Sequence, residues 1–293
     1  GGVGPSLFRY NKSTGETVNL GGLFDADDDR RWGSLDGWYF SPTLPTKFYI
    51  GLDTQLQRFD VLTHTTDVVF DITSQFGDDK EIYHAQSSND DRVHSFTLRL
   101  INTAQPLGCG VYREDTHQFS YFPAVGAFHE CQVDKSGQWL LIKEDRDNTG
   151  GEDNRIINLY TGAETVLLRT AGAAGSSDNG FGTMVAVDAT AALPGTIRTW
   201  AFGPLAPGPV VYHSLGLPPS FTQISFANAR SAALDQQYAC GGVATRGNGP
   251  RANEIACVRL DGSLTTLTIA PTMTDLDALG GGAGDDLIKQ PFG

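Results

Sequence analysis

The sequence contains no run of eighteen apolar residues, and stretches with helical periodicity are nearly absent from its 293 residues. A membrane-spanning helix needs about 20 consecutive apolar residues, so the first absence argues against a membrane span. Helices repeat their apolar residues every three or four positions, so the second argues against a mainly helical domain. One short window, 273–279, tolerates a helix and lies between predicted strands. We therefore expect an all-β chain.

Short motifs of common enzymes are also missing. The sequence has no G-x-S-x-G, no H-E-x-x-H and no phosphate-binding loop, and the Gly-rich segment 280–286 has no lysine. Residues 134–139 contain the residue types of a sialidase box in the wrong order, and we interpret them as a turn between two strands. No catalytic residue is therefore indicated by motif, and no organic cofactor is expected.

Positive charge is scarce. The chain has 21 basic and 34 acidic residues, which gives a formal charge of −13, and lysine is rarer than arginine. Because an acidic surface repels phosphate backbones, this composition argues against nucleic acid as a partner. A solvated, water-facing surface explains most of the excess acid.

The four cysteines show no C-x-x-C spacing, which removes support for haem attachment, thioredoxin chemistry and zinc knuckles. Cys240 and Cys257 lie opposite each other if the segment 245–253 is the loop of a hairpin, so we predict a disulfide between them. Cys109 and Cys131 fall on an outer strand of one repeat and the first strand of the next, where a disulfide would join neighbouring repeats. Disulfides favour a secreted protein, in an extracellular, periplasmic or cell-surface location. Four buried thiols in a cytosolic protein are the alternative.

The stretch 128–168 contains four short strands separated by turns. A polar turn ending at Gly137 precedes the apolar run 139–142, an Asp/Asn/Gly-rich loop follows, and the turn Thr161-Gly162 joins the last two strands. Four antiparallel strands in about forty residues have the size of one β-propeller blade.

Other parts of the chain repeat this plan, so we expect a repeat protein. The pairs Tyr83-His84 and Phe128-His129 lie 45 residues apart, within the range of blade lengths. We predict one propeller domain over residues 1–293, with approximate blades 31–72, 82–122, 128–168, 181–215 and 223–269, and a closing blade made from 6–20 and 285–293. Strands from both ends that share one blade would close the ring, which favours six blades and leaves seven possible.

The repeats resemble those of secreted bacterial β-propellers with TolB-like or WD-like blades. The shared features are a polar turn ending in Gly before an apolar strand and a TG or DG turn between outer strands. The resemblance covers nearly the whole chain. It implies the fold and no single activity.

Two acidic loops are candidates for Ca²⁺ or another divalent cation. Asp25, Asp27, Asp29 and Asp36 match positions 1, 3, 5 and 12 of an EF-hand loop, but Arg30 stands where the required glycine would be, so this is not an EF-hand. Asp145 and Asp147 begin the second loop, with Thr149, Gly150, Glu152 and Asp153 after them. Solvated acidic turns are the alternative for both loops.

The first strand of each blade lines the channel of a propeller, so residues at the same phase converge on one axis. We expect His84, His129, Gln223 and Gln290 at these positions, as ligands for a divalent metal or a polar molecule. The arrangement weakly resembles that of oligogalacturonate lyases, which implies a metal site in the channel. This chain offers only two such histidines, and blade 181–215 offers Gly182-Thr183 at that phase. Histidines that cap backbone groups are the alternative.

Two functions therefore stay open. The leading hypothesis is an extracytoplasmic binding or assembly module, a cell-surface or filament subunit that binds a carbohydrate or a protein or associates with itself. The rival is a carbohydrate-active enzyme at the central funnel, a metal-dependent polysaccharide lyase or a glycoside hydrolase.

Overall fold

The structure is a computed structural model. It describes residues 6–22, 39–193, 195–213, 225–226, 233, 236–242 and 254–271. The chain divides into two compact units, Gly1–Ala124 and Val125–Gly293. Each unit is built from antiparallel sheets, as the sequence predicted.

Unit 1 contains a two-stranded hairpin and two four-stranded sheets, and in each sheet the strands follow one another in chain order. The hairpin consists of β1 (Ser6–Tyr10) and β2 (Thr17–Gly22). Blade 1 consists of β3 (Tyr39–Phe40), β4 (Lys47–Leu52), β5 (Gln55–Asp60) and β6 (Thr65–Asp71). Blade 2 consists of β7 (Lys80–Ser87), β8 (Val93–Leu100), β9 (Pro106–Arg113) and β10 (Gln118–Pro123).

Unit 2 contains three further four-stranded sheets of the same kind. Blade 3 consists of β11 (Ala127–Val133), β12 (Trp139–Asp145), β13 (Asp153–Asn158) and β14 (Glu164–Leu167). Blade 4 consists of β15 (Ala173–Asn179), β16 (Thr183–Asp188), β17 (Ile197–Ala201) and β18 (Ala206–Tyr212). Blade 5 consists of β19 (Ser225–Phe226), β20 (Tyr238–Gly242), β21 (Glu254–Arg259) and β22 (Thr266–Pro271).

Helix is confined to short segments in the described ranges. These are one turn of α-helix, α1 (Thr73–Phe76), and one 3₁₀ turn, Arg169–Ala171. No helix in the described part of the chain is long and apolar enough to cross a membrane. The window 273–279 lies outside the described residues.

The number of blades differs from the prediction of six or seven. The described residues form five four-stranded blades, and of the proposed closing blade only the β1–β2 hairpin is described. The predicted partner segment, 285–293, lies outside the described residues. The sixth sheet therefore has two strands and not four, because the described residues supply it with no strand from the far end of the chain.

Blade 4 begins earlier than the sequence indicated. Its first strand, β15, starts at Ala173, eight residues before the expected start at Phe181. The strand reads AAGSSDN and has no large apolar residue, so it lacks the alternating pattern by which strands are recognised. As a result Gly182-Thr183, expected at the inner phase, lies at the entry to the second strand, β16.

The turn between β11 and β12 is organised by one carboxylate, that of the buried Asp134. It accepts hydrogen bonds from the Ser136 hydroxyl at 2.6 Å, from the backbone N–H of Gln138 at 3.0 Å and from that of Trp139 at 2.9 Å. It also accepts the Gly182 N–H at 2.8 Å, which ties blade 3 to blade 4. This confirms the interpretation of residues 134–139 as a turn, because the acidic side chain is occupied by backbone donors.

Aromatic side chains dominate the core of unit 1. Phe96, fully buried on β8, stands opposite Gly110 on β9. A Cβ added at Gly110 would lie 2.2 Å from Cε2 of Phe96, so the glycine provides the space for the ring. Phe70 and Phe119 stack beside it, with ring centroids 5.1 Å apart. In unit 2 two clusters fill the blades, made of aliphatic residues and Met184 together with Tyr212, Trp200 and Phe202.

The predicted disulfide between Cys240 and Cys257 is confirmed. The two residues are direct partners in the β20–β21 ladder, with a Cα–Cα distance of 4.0 Å. Cys109 and Cys131 are also disulfide-bonded, and no cysteine is free.

Candidate functional site

The first strands of three consecutive blades share a local irregularity. The ladder register shifts by one residue in β7 and in β11, as in a β-bulge, and by two residues in β15; we refer to all three as bulges. Bulges bend the strand and redirect the side chains beside them, and they are frequent next to functional sites. The shifts lie between Tyr83 and Gln86, between Phe128 and Glu130, and between Ala174 and Asp178.

Each bulge is followed by a polar residue. Gln86 occupies this position in blade 2, Glu130 in blade 3 and Asp178 in blade 4. Glu130 and Asp178 belong to unit 2, where further ionisable side chains gather around them. We call this group the inner-strand cluster; it consists of His129, Glu130, Lys135, Lys143, Glu152 and Asp178.

An ion pair between Lys143 and Glu130 is the best-buried part of the cluster. The Lys143 side chain is 4% exposed, and its Nζ lies 2.5 Å from Oε1 of Glu130, its neighbour across the β11–β12 ladder. Burial alone would lower the pKa of Lys143, but the carboxylates of Glu130, Asp178 and Glu152 outweigh it and raise the pKa above 10.5. Lys143 is therefore a fixed positive charge.

Asp178 and Lys135 behave differently. Burial raises the pKa of Asp178 above 3.8, against the opposing attraction of Lys143 and Lys135. Burial likewise lowers the pKa of Lys135 below 10.5, against the attraction of Asp178 and Asp134. Both groups are shifted toward the neutral form, which is the direction that suits proton transfer near neutral pH.

His129 forms the exposed edge of the cluster. It lies at the bulge of β11 with its side chain 57% exposed, and its Nδ1 is 2.5 Å from Oε1 of Glu152. The hydrogen bond to Glu152 raises the pKa of His129 above 6.5. The shift favours the protonated imidazole, and protonation competes with metal binding, so a metal at His129 stays a prediction.

His84, the second histidine predicted in the channel, occupies the corresponding bulge in unit 1. Its φ is +49°, uncommon for a residue other than glycine, and its ring stacks on Tyr83 with centroids 3.8 Å apart. The guanidinium of Arg99 also lies over the Tyr83 ring, at 3.6 Å from the centroid. His84 and His129 belong to different units, and their convergence stays a prediction. Gln223 and Gln290 lie outside the described residues.

Part of the cluster was not visible to sequence reasoning. Glu130 and Lys143 follow apolar or aromatic neighbours with no motif, and Asp178 lies in a Gly/Ser-rich strand. What Gln86, Glu130 and Asp178 share is their position shortly after a break in the pairing of the first strand of a blade. That break is a property of ladder register, which the one-dimensional sequence does not display.

The second acidic loop brings its carboxylates together. Ligand oxygens of Asp145, Asp147 and Asp153 lie within 4.8 Å of one another. Most of them also accept hydrogen bonds: Asp147 from the Thr149 hydroxyl at 2.5 Å, and Asp153 from the N–H of Arg146 in the loop at 2.9 Å and from that of Arg169 after β14 at 2.7 Å. Oδ1 of Asp145 is buried and accepts none of these bonds. The residue types suit a hard cation such as Ca²⁺. Asp25, Asp27, Asp29 and Asp36 lie outside the described residues.

Comparison with solved structures shows the fold. An oligogalacturonate lyase from Vibrio parahaemolyticus aligns with a TM-score of 0.59 and 11% identity, over 96% of this chain and 74% of that one. An oligogalacturonate lyase in complex with manganese aligns with a TM-score of 0.61 and 11% identity, over 96% of this chain and 74% of that one. A putative TolB from Agrobacterium tumefaciens aligns with a TM-score of 0.56 and 13% identity, over 92% of this chain and 89% of that one.

These likenesses show an all-β propeller fold with four-stranded antiparallel blades, the fold that TolB and the lyases also have. At this level of identity they carry the fold alone. No family model and no curated protein matches the sequence.

Proposed function

We propose that the chain is an extracytoplasmic propeller that binds a carbohydrate or protein ligand through the inner-strand cluster. The observation that supports this is the recurrence of a bulge followed by a polar side chain on the first strands of blades 2, 3 and 4. In unit 2 the bulges lie beside paired charges held in fixed positions, such as Lys143 with Glu130. Groups fixed in this way can recognise a polar ligand without a large loss of side-chain entropy.

The extracytoplasmic location rests on the cysteines. All four are disulfide-bonded, and disulfides persist mainly in oxidising compartments. The location is tested by fractionation of the source cells, with the protein detected by an antibody. Recovery of fully reduced protein from the cytosol would contradict it.

A metal-dependent polysaccharide lyase is the second candidate, favoured by the opposite pKa shifts of Asp178 and Lys135. In a β-elimination, neutral Lys135 would take the proton on the carbon beside the sugar carboxylate, and that electron pair would form a carbon–carbon double bond. The bond to the glycosidic oxygen would break, and protonated Asp178 would give its proton to that oxygen. A divalent cation such as the manganese of the similar lyase would neutralise the sugar carboxylate.

The binding hypothesis is tested with an array of neutral and acidic oligosaccharides and with calorimetry on any that bind. We expect Glu130→Gln to weaken binding about tenfold or more, because a charge-assisted hydrogen bond is lost. Glu164→Gln is the matched control: Glu164 is also ion-paired, with Arg155 at 2.9 Å, but it lies on the last strand of blade 3. Equal weakening by both substitutions would contradict a site at the inner-strand cluster.

The lyase candidate is tested separately with oligogalacturonate, with and without Mn²⁺, by the ultraviolet absorbance of the unsaturated product. Product that disappears in Lys135→Met and persists in Glu164→Gln would favour catalysis over binding alone. Absence of product under both conditions would remove the lyase candidate and leave the binding proposal intact.

Divalent-cation binding by the second acidic loop is also a proposal, with Asp145, Asp147 and Asp153 as ligands. Calorimetry with Ca²⁺ tests it, and Asp145→Asn is expected to weaken binding about tenfold or more because it removes one of three charged ligands. Asp67→Asn, an exposed acid in unit 1, is the control. Absence of any Ca²⁺ signal at millimolar concentration would show a solvated acidic loop.

A further inference from the structure

A cavity in unit 1 is a second, separate candidate for a binding site. It has a volume of about 270 Å³ and opens where the ends of blades 1 and 2 meet. Its inner part is formed by Tyr49, Arg58 and Glu114, and Asp91 with Thr43 forms one wall. None of these residues belongs to the inner-strand cluster, so the inference does not rest on the function proposed above.

The inner part of the cavity is held by a chain of hydrogen bonds. The Tyr39 hydroxyl lies 2.9 Å from Nδ1 of the fully buried His94, and Nε2 of His94 lies 3.2 Å from Oε2 of Glu114. The other oxygen of Glu114 accepts a hydrogen bond from Nη1 of Arg58 at 2.8 Å. Arg58 in turn approaches the Tyr49 hydroxyl at 3.4 Å. Glu114 is therefore fixed from two sides, while its side chain remains 31% exposed.

Glu114 stays ionised in this setting. The hydrogen bond from His94 lowers its pKa below 4.5, and the hydrogen bond from Arg58 acts in the same direction. A carboxylate offers about four lone-pair positions, and these two bonds occupy two of them. Acceptor capacity for a ligand donor therefore remains on Glu114.

The wall is similarly ordered. Asp91 is buried and its Oδ2 accepts hydrogen bonds from the Ser41 hydroxyl at 2.5 Å, from the Thr43 N–H at 3.1 Å and from the Thr43 hydroxyl. Because several donors hold it, the carboxylate of Asp91 keeps its position whether or not a ligand is bound.

Charge and size together indicate the class of ligand. Four carboxylates line the cavity, against two guanidiniums, and two of the four, Asp90 and Asp115, are exposed. This excess of negative charge, within a chain of formal charge −13, attracts cations and repels acidic sugars. Pockets for drug-sized molecules have about 300–1,000 Å³, so 270 Å³ is small. We propose that this cavity takes an organic cation of the size of one basic amino-acid side chain, with Glu114 as its principal acceptor.

The proposal is tested by calorimetry at low salt with four probes: agmatine, an acetylated Gly-Arg-Gly amide, the matching peptide with neutral citrulline in place of arginine, and a galacturonate trimer. We expect binding of the two guanidinium probes and none of the other two. Similar affinities for agmatine and the arginine peptide would identify the guanidinium side chain as sufficient and a small organic cation as the ligand, and much tighter binding of the peptide would identify a polypeptide source. Equal binding of the citrulline peptide, or binding of the galacturonate trimer alone, would overturn the proposal.

Variants locate the site. Glu114→Gln should weaken binding of the arginine peptide about tenfold or more, since a hydrogen bond to a charged group is lost. Glu114→Gln also disturbs Arg58 and His94, so Asp115→Asn, which changes an exposed residue, provides a second measurement. It should weaken binding about twofold to fivefold, as expected for an exposed charge. Asp79→Asn, an exposed acid paired with Lys80, should leave binding unchanged. Binding that is unchanged in both cavity variants would overturn the assignment.

Discussion

The buried ion pair of Lys143 and Glu130 allows a quantitative test of the inner-strand cluster. Removing one member of a buried pair costs about 3–5 kcal/mol, because the other charge remains buried without its partner. The Glu130 side chain is 16% exposed, and Lys143 is also attracted by Asp178 and Glu152. We therefore expect Glu130→Gln to cost about 3 kcal/mol, at the lower end of this range.

The reverse substitution, Lys143→Met, should cost less. It leaves Glu130 with partial exposure and with the hydrogen bond from Nε2 of Gln132 at 3.3 Å. A cost of about 1–2 kcal/mol follows, since a partly hydrated carboxylate keeps some of its solvation. The double variant should cost about as much as Lys143→Met alone, because it leaves neither charge. The coupling energy between the two sites then equals the cost of Glu130→Gln alone, about 3 kcal/mol.

Urea unfolding at pH 7 gives the four free energies of the cycle. The pH dependence supplies an independent check on the sign. Since the folded-state pKa of Lys143 lies above 10.5, its stabilisation is complete below the unfolded-state pKa and is lost as the pH rises through the folded-state value. The unfolding free energy of the wild type should therefore fall above about pH 10.5 relative to that of Lys143→Met. A coupling energy near zero, or no difference between the two alkaline profiles, would refute the buried ion pair.

Three further predictions concern other parts of the chain. Gly110→Ala should lower the free energy of urea unfolding by about 1–3 kcal/mol, because the new Cβ would overlap the Phe96 ring. Gly203→Ala, whose added Cβ would lie 3.8 Å from the nearest atom, should be tolerated, and equal effects of the two substitutions would contradict this prediction. Removing the blade 5 disulfide by a double Cys→Ala substitution should cost about 3 kcal/mol, as expected for a loop of 17 residues, and a loss well below 1 kcal/mol would contradict that expectation. NMR titration should give His129 a pKa above 6.5 that decreases in Glu152→Gln. The stabilisation from this pair is then present at low pH and is lost as the pH rises through the folded-state pKa of His129. An unchanged pKa in the variant would exclude the contact.

Sequence periodicity was sufficient to predict most of the described strands. The apolar run of β12 predicts a strand that is buried on both faces. The pairing of Cys240 with Cys257 follows because the numbers of paired residues in a hairpin add up to a constant. The first strand of blade 4 was missed because AAGSSDN carries no hydrophobic signal, and its strand state depends on pairing with β16.

The candidate site was less accessible to prediction. His129 was chosen for its position after an aromatic residue, and it does lie at a bulge. Its role as a metal ligand stays a prediction, and the Glu152 contact that raises its pKa joins residues 23 apart in sequence, which spacing alone did not indicate. The same holds for Lys143 and Glu130, whose contact arises only when β11 and β12 pair. Pairwise electrostatics of this kind requires three-dimensional neighbours, which composition and spacing do not supply.

The recurring bulge separates the fold from the chemistry of the site. A bulge is fixed by backbone pairing, so the residue after it can change without a change in the ladder. The three blades illustrate this, because an amide follows the bulge in blade 2 and carboxylates follow it in blades 3 and 4. The residue opposite changes as well, from Ser95 to Lys143 to Val185. Since each blade can vary these two positions independently, the proposed ligand site could change its chemistry while the propeller fold stays the same.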